Sequence, residues 1–172
     1  MKKRSAVIGA LILFMPMVKP LVMGTGVALM STVTILSSAL SSQAESALFY
    51  YNRGIDKFND RNYSGAIAEF DKVIEINPRD ADAYYNRGLA KWALKDYSGE
   101  IADYSKAIEI NPRYADAYTN RGVAKRKLGD YFGAIADYNK AIEINPRDAK
   151  AYYNRGLAKR KSGDNYGAIS DY

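Results

Sequence analysis

Residues 81–112 read ADAYYNRGLAKWALKDYSGEIADYSKAIEINP, and residues 115–146 read ADAYTNRGVAKRKLGDYFGAIADYNKAIEINP. Aligned over 78–111 and 112–145, only nine of 34 positions differ. The same signature runs outward in both directions. Asn-Arg-Gly starts at Asn52, Asn86, Asn120 and Asn154, and Ile-Glu-Ile-Asn-Pro starts at Ile74, Ile108 and Ile142. A 34-residue period sustained over 47–172 describes a solenoid, in which each unit buries its apolar face by stacking on its neighbours.

One unit reads as a pair of helices. In the first half, 81–94, Ala83, Ala90 and Leu94 favour a helix, and Asp80 is placed to cap it. Lys95-Asp96 here, and Gly129-Asp130 one unit on, signal a tight turn. In the second half, Ile101, Tyr104, Ala107 and Ile108 form the apolar stripe of a second helix, which Asn111-Pro112 ends. A glycine inside a helix costs about 1 kcal/mol relative to alanine. The return of Gly54, Gly88, Gly122 and Gly156 therefore implies a packing reason, expected where they and Ala66, Ala134 and Ala168 let two helices approach. The tyrosines and Phe70 supply bulk around those contacts.

Composition removes whole classes of chemistry. The chain has no cysteine and no histidine, so disulfides, thiolate nucleophiles, Cys/His zinc sites and histidine bases are excluded. The net charge of +6 is uneven: residues 1–44 carry Lys2, Lys3, Arg4 and Lys19 without an acid, while 45–172 carry 21 basic and 19 acidic side chains. A near-neutral repeat region argues against nucleic-acid binding and against a surface for anionic lipid. Nearly all acids recur at the 34-residue spacing, so no carboxylate pair stands apart as catalytic, and neither an enzyme nor a cofactor or metal site is expected.

Residues 1–44 have the layout of an export leader: a basic start, uncharged apolar runs over 6–18 and 21–40, and Ser42-Gln43-Ala44 before Glu45. Cleavage after Ala44 and retention as a membrane anchor are both open, since 20 apolar residues can span a bilayer. Either way the repeats are expected outside the cytoplasm, periplasmic or secreted if cleaved and membrane-anchored otherwise.

The 34-residue helix hairpin with Gly88, Tyr104, Ala107 and Pro112, and with a small residue twelve positions after the glycine in the other units (Ala66, Ala134 and Ala168), resembles the tetratricopeptide repeat (TPR), in its bacterial form with an export leader. The resemblance implies an all-α solenoid of antiparallel hairpins: three full repeats at about 47–80, 81–114 and 115–148 and a shorter fourth at 149–172. Two positions depart from the family pattern. Arg53, Arg87, Arg121 and Arg155 stand where a large apolar residue is usual, and Lys57, Lys91, Lys125 and Lys159 where an aromatic is usual. Their stems are expected to pack while the heads reach acids such as Asp103.

The resemblance further implies that the first helices line a groove for an extended peptide. Its lining would be Tyr51, Asn52, Ile55, Phe58 and Asn59 in unit 1, and Asp82, Tyr85, Asn86, Leu89, Trp92 and Ala93 in unit 2. Unit 3 would add Asp116, Thr119, Asn120, Val123, Arg126 and Lys127, and unit 4 Lys150, Tyr153, Asn154, Leu157, Arg160 and Lys161. The groove passes from aromatic (Phe58, Trp92) to basic (Arg126, Lys127, Arg160, Lys161), inviting an acidic segment or a C-terminal carboxylate. The ladder Asn52, Asn86, Asn120 and Asn154 either pairs with a peptide backbone or bonds across to the neighbouring unit. Glu100 replaces the alanine of the other units, and is expected to bend outward or to pair with Arg87 or Lys95. The fourth unit stops at Tyr172, seven residues short of the closing Asn-Pro. That suggests a truncated chain, a covering partner, or self-association through Ile169 and Tyr172.

Overall fold

The structure, a computed structural model, describes residues 26–172, with side chains described from residue 37 onward. Eight helices and no strand are found among them: α1 Gly26–Asn59, α2 Tyr63–Ile76, α3 Ala81–Ala93, α4 Tyr97–Ile110, α5 Ala115–Lys127, α6 Tyr131–Ile144, α7 Ala149–Lys161 and α8 Asn165–Asp171. Each odd-numbered helix pairs with the next in a hairpin, and each hairpin packs on the one before, giving the expected all-α solenoid. Adjacent first helices also touch, α1 with α3 and α5 with α7. An array whose first helices lie this close curves toward them, which places the first-helix surface on the inner side.

The helix starts and stops follow from local chemistry. Asp80 accepts a hydrogen bond from the Ala83 N–H, and Asn62, Asp96, Asp130 and Asp164 cap their second helices by accepting from the N–H of Gly65, Gly99, Gly133 and Gly167. The turn inside each hairpin contains one left-handed residue: Arg61, Lys95, Gly129 and Gly163, with φ of 61°, 62°, 86° and 95°.

The recurring glycines have the packing reason their spacing implies, but the partner is aromatic rather than small. A Cβ on Gly54, Gly88, Gly122 or Gly156 would lie 2.7 Å from the ring of Phe70, Tyr104, Tyr138 or Tyr172. Inside each hairpin a flat ring sixteen residues on thus covers a bare stretch of first-helix backbone. The small second-helix residues lie where two units meet: Ala66 shares a buried cluster with Tyr51 and Ile55 of its own hairpin and with Ala83 and Ala90 of the next, and Ala134 shares one with Ala158 of the next hairpin.

The Arg/Lys pairs are architectural. Arg87 forks onto Asp103 of its own hairpin and bonds Asp71 of the preceding one at 2.6 Å, while Lys91 reaches Asp103 at 2.8 Å. Arg121 and Lys125 repeat this on Asp137, with Ser105 as the backward contact; Arg155 and Lys159 repeat it on Asp171, with Asn139. Unit 1 uses a variant, Arg53 and Lys57 on Glu69. One guanidinium therefore ties three helices across each unit boundary.

The leader falls largely outside the description. Lys2, Lys3, Arg4, Lys19 and the first apolar run lie outside the described residues. The boundary expected at Ala44 falls inside α1, which continues through it without a break. Among the described residues no helix is long and apolar enough to cross a membrane.

Candidate functional site

The inner surface is built by the first helices, and its residues fall into those committed to the scaffold and those left open. Tyr51, Ile55 and Thr119, expected as lining, belong to the interior. Tyr51 and Ile55 sit in the core cluster with Phe70, and Thr119 is buried with its hydroxyl on Asp148 at 3.2 Å. They lie on the side of the helix that the adjoining unit covers.

The asparagine ladder is tied across unit boundaries. Asn86 is buried and donates both amide hydrogens, to Tyr51 Oη at 2.7 Å and to the Asp82 carbonyl at 2.8 Å. Asn120 donates to Tyr85 Oη at 3.0 Å. What these two offer a ligand is chiefly the carbonyl oxygen. In unit 4, Asn154 donates to the Lys150 carbonyl, and its own carbonyl oxygen faces Arg126 Nη2 at 3.5 Å. Tyr85, half-buried, is further held by Tyr114, whose ring stacks on it at 4.9 Å and whose hydroxyl donates to Asp82 at 2.8 Å. Burial, with Asp116 adding to it, pushes the Tyr85 hydroxyl up to about 12. Tyr114 was not legible as a contributor. It occupies the capping place of Asp80 and Asp148, and makes no side-chain cap bond.

The basic half of the inner surface is open. Among the described residues Arg126, Lys127, Arg160 and Lys161 form no ion pair, although Arg87, Lys91, Arg121, Lys125, Arg155 and Lys159 all do. Lys127, Arg160 and Lys161 are exposed, and Arg126 is half-buried with its Nε–H unpartnered.

Glu100 departs from expectation. It neither bends outward nor pairs with Arg87 or Lys95, but is 1 % exposed with Oε2 lacking a hydrogen-bond partner. Arg87 is held by Asp103 and Asp71, and Lys95 stands exposed in the turn. Glu100 instead lines a pocket of about 270 Å³ with Leu89, Trp92, Tyr104, Asn120 and Val123. Burial, reinforced by Asp96, pushes it up to about 8. No group of acids suited to hold a metal ion is present among the described residues.

The family described as "TPR repeat" matches at residues 62–95, 93–129 and 124–163. Similar solved structures include "Crystal structure of MamA", with TM-score 0.71 and 27 % identity over 78 % of this chain and 79 % of that one. "First TPR of Spaghetti (RPAP3) bound to HSP90 peptide SRMEEVD" has TM-score 0.68 and 25 % identity over 69 % of this chain and 94 % of that one. The Arabidopsis OM64 TPR domain, at 24 % identity and TM-score 0.67 over 69 % and 98 %, shares the fold. No curated protein matches the chain. With the family matched across more than half of the chain and the hairpin array observed directly, this protein belongs to the TPR repeat family, whose repeats mediate protein–protein interaction and whose fold is generally a non-catalytic scaffold.

Proposed function

We propose that the chain is a non-catalytic adaptor holding an extended, acidic peptide segment along its first helices. The observation that carries this reading is the division among its cations. Those at the recurring Arg and Lys positions are all neutralised internally, whereas Arg126, Lys127, Arg160 and Lys161 have no acid of their own. An array of unpaired cations on one surface attracts carboxylates. Asn154 stands between Arg126 and the unit 4 cations as donor and acceptor toward a peptide backbone, with Asn52, Asn86, Asn120 and Tyr85 contributing from the upstream units and Trp92 as the aromatic anchor. A similar structure, the first TPR of Spaghetti, holds a peptide whose sequence, SRMEEVD, ends in acids. The leader at 1–44 would deliver or tether this adaptor outside the cytoplasm.

The test titrates the full chain with a blocked acidic octapeptide at two ionic strengths. Binding is expected to weaken as salt rises, and Arg160→Glu with Lys161→Glu to weaken it by about tenfold or more. Equal affinity of wild type and double variant would overturn the reading.

A further inference from the structure

We infer that the pocket between Trp92 and Glu100 receives the side chain of a lysine or arginine in the bound segment. This rests on groove binding as proposed above, and adds a second, oppositely charged specificity element to it.

Three observations converge. Glu100 is buried, lacks a hydrogen-bond partner at Oε2 and lines an open pocket rather than a closed void. Trp92 forms another wall and remains 50 % exposed, so an entering group meets the indole. A volume of about 270 Å³ falls just below the range of small-molecule sites, roughly 300–1,000 Å³, and suits one long side chain.

The chemistry selects among side chains. An apolar group would leave the carboxyl buried and unanswered, and an acidic one would set a second carboxyl beside it in a site that already resists one negative charge. A neutral amide satisfies the carboxyl but gains little from the indole. Only a cation uses both walls: its approach draws the proton off the carboxyl into solvent, and it pairs with the carboxylate so formed while lying against the aromatic face, its aliphatic stem packing on Leu89 and Val123. The protein does not fill the site itself, because every recurring cation nearby is already held: Arg87 and Lys91 by Asp103, Arg121 and Lys125 by Asp137.

The same two positions separate this unit from its neighbours. Trp92 and Glu100 become Arg126 and Ala134 one unit later, and Arg160 and Ala168 in the last. A segment reading basic over unit 2 and acidic over units 3 and 4 is therefore held in one register, since sliding it by a unit sets its cation against Arg126.

The experiment immobilises the full chain, captures peptides from a random pool of end-blocked octapeptides, and sequences those retained. Lysine and arginine should together be enriched by about tenfold at one position, and Glu100→Gln, which keeps the shape and removes the charge, should abolish that enrichment while acidic positions persist. Trp92 is the sole tryptophan, so its emission should shift on adding a retained lysine peptide and not on adding its norleucine counterpart. Retained peptides without lysine or arginine enrichment, or enrichment surviving Glu100→Gln, would overturn this inference and leave groove binding standing. Failure to retain any peptide would overturn both.

Discussion

At the residue scale, Glu100 carries the clearest energetic signature. Its carboxyl, near 4.5 when unperturbed, sits at about 8 in the folded protein. Between those values the folded state keeps a proton that the unfolded chain releases, so stability falls as pH rises, by up to about 1.4 kcal/mol per pH unit. Thermal unfolding should show this slope in wild type between pH 5 and pH 8. Glu100→Ala, which restores the residue found in the other units, should flatten it and raise the melting temperature at pH 8 by roughly 3–8 °C. Asp103 marks the opposite case. Arg87 and Lys91 both converge on it, and its side chain is almost wholly buried. Asp103→Ala leaves two cations facing each other and should cost about 3–5 kcal/mol in urea unfolding. A loss below 1 kcal/mol would show that Asp71 alone suffices for Arg87.

At the scale of the helix and its turn, glycine has two distinct uses. Gly88→Ala gains up to about 1 kcal/mol of helix propensity, but its new methyl meets the Tyr104 ring at 2.7 Å in a filled core. A net loss of about 1–2 kcal/mol is expected from chemical denaturation. Lys95 sits left-handed where units 3 and 4 have Gly129 and Gly163. Lys95→Gly relieves the strain, and should stabilise by about 1 kcal/mol.

The hairpins were legible because caps, turn glycines and the apolar stripe all lie within one 34-residue window. The Arg/Lys role was legible for the same reason, Arg87 and Asp103 being sixteen residues apart on facing helices. Contacts between units were harder. Whether Asn86 faces a ligand or a neighbour depends on Tyr51, one full unit back, and on the angle at which two hairpins meet. The burial of Glu100 is not legible in the sequence because charge alone favours solvent, whereas its place in the first turn of α4 leaves it 1 % exposed, in a pocket lined by Leu89 and Trp92 of α3 and by Asn120 and Val123 of α5.

At the scale of the whole molecule, stability is distributed through neighbour contacts, so local damage spreads only as far as coupling between hairpins allows. Trp92 reports on unit 2, and far-ultraviolet circular dichroism on all units. The two signals should coincide during urea unfolding of the wild type. In Asp137→Ala, which strips Arg121 and Lys125 of their shared partner in unit 3, the dichroism should fall first.

The backward reach of each arginine has a consequence for how such a chain can change. Arg121 holds Ser105, and Arg155 holds Asn139, which occupies the same place one unit later. Excise residues 115–148 and Arg155 would meet Ser105, while Asn154 would meet Tyr85, each finding a familiar counterpart. The boundary behaves as a standard coupling between interchangeable cars. Length can then be set by duplication or loss without inventing a new joint, and the Trp92–Glu100 car can travel to any place in the train.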